Sequence, residues 1–335
     1  MHWAEIRPKG SGKPPPLRAH TTTVVGSKLY VFGGCDADTC YADLHILDTE
    51  TLWWTKMRTQ GSIPAPCRAH SASLVQNRFL VVFAGGDGPN YFNTLHYLDT
   101  VTLVWYAPQT TGPVPSPRRA HSAFVYGSDV YIYAGGDGIR ALADLYKLNT
   151  SILTVGPAPV LTWTQLTTSG TQPESRGYHT TNLIRNTPHL VLYGGSDGHE
   201  CFSSIHMLNL QTLTWSTPTL AASPPRLSHT ATQIGSYLFV LGGHDGSHYN
   251  NTILLLNLVT MSWETRSVCG KDRPAGRGYH TAVLCDSRLW VIGGYDGGNV
   301  FGDCWVLELG ASAYLPQITT FQVAGDAAPA TNADG

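Results

Sequence analysis

The residues best suited to chemistry in this chain are an arginine and a histidine that recur together six times. The histidine follows the arginine by two or three positions, in the pairs Arg18/His20, Arg68/His70, Arg119/His121, Arg176/His179, Arg226/His229 and Arg277/His280. Further along each copy comes an aspartate, at Asp36, Asp87, Asp137, Asp197, Asp245 and Asp296. Because every copy repeats them, we expect architectural roles: the arginine pairing with the aspartate, and the histidine satisfying backbone groups.

Catalytic and metal-binding patterns are weak. His244 and His248 are four residues apart, but on a loop this spacing does not indicate a metal site. The seven cysteines are scattered, and only Cys35 and Cys40 share a loop, so we expect a reduced cytoplasmic protein. No serine–histidine–aspartate arrangement or phosphate-binding glycine loop stands out. The sequence therefore predicts no cofactor, no metal and no enzymatic activity.

The arginines and histidines belong to a longer repeat, whose clearest feature is an apolar run ending in two glycines. These glycine pairs begin at Gly33, Gly85, Gly135, Gly194, Gly242 and Gly293, so the repeat is about 50 residues long. Each copy has short segments rich in Val, Tyr and Thr between turn residues, which predicts four strands, a to d. Strand a follows the histidine and strand b enters the glycine pair. Six such copies predict an all-β, six-bladed propeller with four antiparallel strands per blade.

A tryptophan near strand d shows how the ring closes. Five copies contain it (Trp54, Trp105, Trp163, Trp215 and Trp263), and we expect these rings to pack between blades. The sixth copy stops after strand c, whereas Trp3 precedes the first copy. We therefore predict that the N-terminal strand completes the last blade and closes the ring. An insertion, Ser151–Val160, is placed between strands c and d of blade three.

The predicted propeller spans residues 1–310, and residues 311–335 are predicted to be a flexible tail or linker. Charged residues make up only 13% of the chain and the net charge is −2, which argues against nucleic acid or a polybasic membrane contact. No apolar run is long enough to predict membrane insertion.

Antiparallel pairing places the d-to-a and b-to-c loops on one side of the ring, which we call the loop face. The b-to-c loops differ between blades and carry the aromatic and arginine side chains typical of binding hot spots. We expect some of these aromatic rings to fold over the blade edge instead. The predicted partner-binding residues are Tyr41, Tyr91, Phe92, Arg140, His199, Phe202, His248, Tyr249, Asn299 and Phe301, with Arg18, Arg68, Arg119, Arg176, Arg226 and Arg277 from the d-to-a loops.

The order arginine, histidine, apolar strand, Gly-Gly, Asp-Gly and tryptophan resembles the kelch repeat. Its Arg/His form is similar to the host-cell-factor and leucine-zipper-like-regulator branch, although Cys35-Asp36-Ala37 in blade one departs from the Asp-Gly pattern. The resemblance covers residues 1 to about 310 and implies a scaffold or adaptor that binds a protein or peptide. In related kelch adaptors, arginines of the d-to-a loops line the ligand pocket.

Two alternatives stay open. One is the substrate-recognition domain of a ubiquitin ligase, which requires a BTB or F-box segment elsewhere in the full protein. The other is a metal-dependent kelch oxidase or specifier enzyme. The resemblance to specifier enzymes implies a Glu-x3-Asp-x3-His triad, which this chain lacks.

Overall fold

Strands account for all the regular secondary structure that a computed structural model of the chain describes. The described residues are 1–156, 158–220, 222–270 and 272–310, and they contain 27 β-strands in six sheets. Each sheet is one blade of a six-bladed propeller, which confirms the predicted fold. The predicted tail, 311–335, lies outside the described residues, and the domain boundaries stay predictions.

The first three blades have the following strands, in the order a to d. Blade one contains β2 (Thr21–Val25), β3 (Lys28–Phe32), β4 (Leu44–Asp48) and β5 (Trp53–Met57). Blade two contains β7 (Ser71–Val75), β8 (Phe79–Gly86), β9 (Tyr91–Asp99) and β10 (Val104–Tyr106). Blade three contains β12 (Ser122–Tyr126), β13 (Asp129–Gly136), β14 (Ala141–Asn149) and β15 (Leu161–Leu166), with the predicted insertion between β14 and β15.

The last three blades repeat this order. Blade four contains β17 (Thr180–Leu183), β18 (His189–Tyr193), β19 (Ile205–Asn209) and β20 (Thr214–Ser216). Blade five contains β21 (Thr230–Ile234), β22 (Tyr237–Leu241), β23 (Ile253–Asn257) and β24 (Ser262–Glu264). Blade six contains β25 (Thr281–Cys285), β26 (Arg288–Ile292), β27 (Cys304–Glu308) and, as its outer strand, β1 (His2–Ile6).

The predicted closure of the ring is confirmed. Strand β1 pairs antiparallel with β27 over its whole length, with Trp3 opposite Leu307. Trp3 is buried in the apolar cluster that contains Phe239 of blade five. The two ends of the propeller sequence are thus joined in one sheet, so this blade has no unpaired edge between them.

Apolar packing between blades forms the core. The b strands are buried on both faces because each lies between two neighbouring blades, which explains their continuous apolar runs. The tryptophans of strand d pack on the preceding blade as predicted: Trp105 lies 4.9 Å from the ring of Phe32, and Trp163 lies 5.0 Å from that of Phe83. The glycine pair permits close packing, since Gly34 has φ +88° and an added Cβ would lie 2.7 Å from His20 Cβ.

Short edge strands, which the sequence did not predict, extend three blades. Gln60–Gly61 (β6), Thr110–Thr111 (β11) and Ser169–Gly170 (β16) pair in parallel with the outer strands β10, β15 and β20. Each belongs to a d-to-a connection, so the connection is attached to the blade it enters before it turns inward. These connections therefore hold the loop face in position.

Candidate functional site

A belt of six backbone hydrogen bonds surrounds the centre of the loop face. It is formed by the residue directly before each recurring histidine, and each of these residues has a positive φ of 52° to 61°. The amide of each belt residue donates to the carbonyl of the belt residue in the preceding blade, at 2.8–2.9 Å. The members are Ala19, Ala69, Ala120, Tyr178, Ser228 and Tyr279. The belt holds in place the backbone next to the recurring arginines.

The six histidines form a second ring next to the belt. Each Nε2 lies 2.8–3.1 Å from a threonine or serine hydroxyl in strand a of the preceding blade, as in His70 with Thr21 and His121 with Ser71. The prediction that the histidines bond backbone groups is therefore wrong as to the partner, which is a hydroxyl side chain of the preceding blade. Burial lowers the pKa of His20 to about 4 and the pKa of His121 to about 3, so these rings are neutral near pH 7.

The recurring arginines fall into two classes that differ by one position. Three residues before the histidine stand Arg176, Arg226 and Arg277, together with Arg118, and all four are buried. Arg277 donates to the carbonyl of Gly293 at 2.9 Å and makes a bidentate ion pair with Asp303, at 2.6 and 2.9 Å. Arg226 donates to the hydroxyl of Thr252 at 3.0 Å. These arginines tie the d-to-a connection to strands b and c.

The predicted pairing of each arginine with the aspartate beyond the glycines is wrong. Arg277 pairs with Asp303 and Arg118 with Asp144, just before or within strand c. Arg176 pairs with Glu174 of its own d-to-a connection. The aspartates beyond the glycines instead accept backbone amides of their own b-to-c loops, as Asp296 does from Gly298 and Asn299 at 2.9 and 2.7 Å. These bonds lower the pKa of the Asp296 carboxyl and fix the shape of its loop.

Arginines of the second class stand two residues before the histidine and occur only in the first three blades, as Arg18, Arg68 and Arg119. We call them the arginine arc. All three line a central cavity of about 280 Å³ above the belt, and no Asp or Glu is among the described residues that line it. Burial lowers the pKa of Arg68, and the positive charges of Arg119 and Arg18 lower it further. The arc is thus a concentration of positive charge that lacks a carboxylate.

The arginine arc meets few polar groups of its own chain. Within the described residues, the side chain of Arg68 has no hydrogen bond or ion pair, and the buried Nε of Arg18 has no hydrogen-bond partner. Arg18 lies over the ring of Tyr295 and Arg119 over that of Tyr91, each at 4.5 Å from the ring centroid. Arg119 also donates to the carbonyl of Gly88 at 3.2 Å. Stacking on aromatic rings orients the guanidinium groups and leaves most of their donors available.

The opposite side of the central cavity is lined by four tyrosines, Tyr178, Tyr249, Tyr279 and Tyr295, which we call the tyrosine arc. The rings of Tyr178 and Tyr279 meet edge to face at 5.7 Å. Burial raises the pKa of Tyr249 to about 12, so its hydroxyl keeps its proton near pH 7. Gly177, Leu227 and Gly278 replace the second-class arginine in blades four to six. The glycine in blade six permits close packing, since an added Cβ at Gly278 would lie 3.0 Å from Tyr249 Cε1. The cavity therefore has a cationic half and an aromatic, hydrogen-bonding half.

Of the predicted partner-binding residues, the structure brings together Arg18, Arg68, Arg119 and Tyr249 at the central cavity, with Tyr91 and Arg140 beside them. The others are apart from it. Phe202 and Phe301 lie under the buried Arg176 and Arg277, at 4.4 and 4.0 Å, and Phe92 packs against the core between blades. Tyr41 donates to Asp36 within its own loop. His199, His248 and Asn299 are exposed at loop tips.

Sequence reasoning missed Tyr178 and Tyr279. Both stand directly before a histidine, and the signal that identifies them is their register relative to that histidine, which also separates the two arginine classes. Tyr295 was visible in its b-to-c loop but was not among the predicted binding residues.

The expectation that all cysteines are reduced is wrong for one pair. Cys35 and Cys40 form a disulfide, and the other five cysteines are free thiols. The two residues face each other across the b-to-c hairpin of blade one, with Cα atoms 4.1 Å apart. The backbone of Cys35 also exchanges two hydrogen bonds with Arg18, so this loop supports the arginine arc.

The described residues contain neither a cluster of metal ligands nor a membrane-spanning helix. No three His, Cys, Asp or Glu side chains are grouped so that they would hold a metal ion. Nor does this part of the chain contain a helix with the length and apolar character needed to cross a membrane.

The sequence model of the KLHDC2/KLHL20/DRC7 Kelch-repeats domain matches residues 1–136, 88–264 and 136–330. The chain belongs to the kelch-repeat family. The belt, the histidine ring and the buried arginines are therefore parts of a kelch propeller.

Several curated proteins are similar to this kelch chain. Acyl-CoA-binding domain-containing protein 4 of Arabidopsis thaliana is 38% identical over 43% of the chain, and the match covers 22% of that protein. Human Host cell factor 1 is 30% identical over 88% of the chain and 16% of its own length. The Rab9 effector protein with kelch motifs of Xenopus laevis is 29% identical over 61% of the chain and 56% of its own length. The matches thus span about half or less of the length of these relatives. As a kelch domain, the chain is a protein-interaction module.

Proposed function

We propose that this kelch propeller binds an acidic segment of a partner protein in the central cavity, without catalysing a reaction. The single observation that carries the proposal is the arginine arc, in which three guanidinium groups converge on one cavity with no carboxylate among its described lining residues. Guanidinium groups that stand close together favour a bound anion, and they form their strongest hydrogen bonds with carboxylates or phosphates.

The tyrosine arc supports a peptide ligand. Its rings offer flat apolar surface and neutral hydroxyl groups, the combination that is enriched at protein-binding hot spots. A cavity of about 280 Å³ accommodates one or two side chains and not a folded domain. The partner is therefore expected to insert an exposed loop or an extended segment that carries an acidic residue.

Charge preference tests this proposal. Fluorescence anisotropy would compare a labelled peptide of alternating Glu and Gly with a matched peptide of alternating Lys and Gly. We expect binding of the glutamate peptide alone, weakened by high salt and by Arg68→Ala, because the interaction is electrostatic. Arg288→Ala is the matched control, since Arg288 begins strand b at the opposite end of its blade. Equal binding of both peptides, or binding that Arg68→Ala leaves unchanged, would contradict the proposal.

A further inference from the structure

A second cavity of about 220 Å³ adjoins the central cavity over blades three and four. Arg119 and Tyr178 line both, so a ligand segment can pass from one to the other without leaving the surface. The ring of Tyr91 forms part of the wall: Arg119 stacks on it, and an added Cβ at Gly138 would lie 3.0 Å from its Cε2. We call this second cavity the outer cavity.

Carboxylates offset the arginine charges at the outer cavity, unlike at the central one. Its charged lining residues are Arg119, Arg140 and Asp197. Asp137, which is not a lining residue, places a second carboxylate next to Arg140. Arg140 lies 3.8 Å from Asp137. Asp197 Oδ1 accepts two amides of its own loop, each at 2.8 Å. Because Arg140 is paired with Asp137 and Asp197 lies in the lining, the outer cavity attracts an ionic side chain less than the central cavity does.

What the outer cavity does offer is apolar surface at Ile139. This side chain is 95% exposed, more than any other large apolar side chain of the described residues. The backbone that carries it is held in place, because the amides of Ile139 and Arg140 both donate to Asp137 Oδ1 at 2.9 Å. A single exposed apolar residue is ordinary on a protein surface. Ile139, however, lines the outer cavity, which is continuous with the cationic central cavity. The aromatic ring of Tyr178 lines both cavities.

We propose that the outer cavity binds an apolar side chain of the same partner segment whose acidic residue occupies the central cavity. This inference rests on the proposed function and adds a specificity element to it. The ligand is then a peptide with an acidic residue and an apolar residue at a fixed spacing. Charge complementarity selects the first residue at the arginine arc, and burial against Ile139 and the Tyr91 ring selects the second.

Selection from a displayed library of random linear peptides tests this inference. The targets are the wild-type chain, Ile139→Ser, Val101→Ser and the double variant Arg68→Ala/Arg119→Ala. Val101 is the matched control, because it is another exposed apolar residue (70% exposed) but lies between strands c and d of blade two, away from both cavities. Melting temperatures would verify that each variant is folded.

We expect wild type and Val101→Ser to enrich an acidic residue with an apolar residue at constant spacing. Ile139→Ser should keep the acidic preference, lose the apolar one and bind the wild-type peptides about five- to twentyfold more weakly. Acidic enrichment without an apolar partner, or an apolar preference that survives Ile139→Ser, overturns the outer cavity as a subsite and leaves the proposed function standing. No acidic enrichment by wild type overturns both.

Discussion

A shift of one residue separates a buried structural arginine from a half-buried one that lines the central cavity. At three positions before the histidine the guanidinium turns inward and bonds backbone and strand c, as in Arg277. At two positions before it the guanidinium faces the central cavity, as in Arg68. Substitutions at these two positions should therefore have different consequences.

Arg277→Ala is expected to destabilise the fold by about 3 kcal/mol, because it removes a buried ion pair and leaves Asp303 without its partner. Arg68→Ala should change the free energy of unfolding by less than about 1 kcal/mol, since the lost side chain has no polar partner in the described structure. Denaturant unfolding of both variants measures the difference. Similar losses in the two variants would contradict the division into two classes.

The histidine ring predicts that the protein becomes less stable at acidic pH. Burial lowers the pKa of His70, His121, His229 and His280 from 6.5 to about 3 in the folded state. Below pH 6.5 the histidines of the unfolded chain bind protons, whereas the buried histidines of the folded chain do not. The free energy of unfolding is therefore highest above pH 6.5 and falls as the pH is lowered toward 4. Each such histidine contributes up to about 1.4 kcal/mol per pH unit in this window.

Denaturant unfolding at pH 7.5, 6.5 and 5.5 would measure the effect. His121→Gln should lessen the slope, because glutamine does not titrate and its amide can still bond Ser71, the hydroxyl that His121 contacts at 2.8 Å. Carboxyl groups have little influence above pH 5, since their pKa values lie near 4. A free energy of unfolding that is constant from pH 6.5 to 5.5 would refute the account of the ring.

At the residue scale, the sequence identified the recurring arginines and histidines but not their partners. The sequence shows that Arg68 stands two residues and Arg277 three residues before its histidine. It does not show that this difference decides whether the guanidinium is buried or lines the central cavity. The hydroxyl partner of His70, Thr21, lies in another blade. A pairing between blades becomes predictable once the ring is assembled and its register is known.

At the scale of elements, the strand that closes the ring is the clearest case of a correct prediction from sequence. The missing tryptophan of the sixth copy and the presence of Trp3 at the other end were sufficient to infer it. The short edge strands such as β6 could not be inferred, because two residues in a polar connection carry no periodic pattern. The disulfide between Cys35 and Cys40 likewise depends on the hairpin register, which spacing alone does not give.

Trp3→Ala is expected to cost about 3–5 kcal/mol, because it leaves a cavity where the closing strand packs against blade five. Glu5→Ala is the matched control in the same strand. Among the described residues Glu5 makes only an exposed ion pair with Arg7, so its loss should lower the free energy of unfolding by less than about 0.5 kcal/mol. Thermal unfolding distinguishes the two, and a Trp3→Ala variant as stable as wild type would contradict the role given to closure.

At the scale of the whole molecule, the propeller repeats its architecture in six blades, but the candidate binding site does not follow that repeat. The belt and the histidine ring repeat in every blade, whereas the arginine arc occupies blades one to three and the tyrosines face it from the other side. The repeated positions made the fold predictable from sequence. The site depends on the differences between blades, and the loops alone did not show which of those differences converge on one cavity.

The central claim is that partners bind through the arginine arc. The most direct test compares the proteins captured from a native lysate by wild type, by Arg68→Ala/Arg119→Ala and by Arg288→Ala, with quantitative mass spectrometry. We predict that wild type and Arg288→Ala capture the same partners, and that the folded double variant loses them by about tenfold or more, since each arginine contributes charge-assisted hydrogen bonds. Equal recovery of the same partners by all three proteins would contradict the claim.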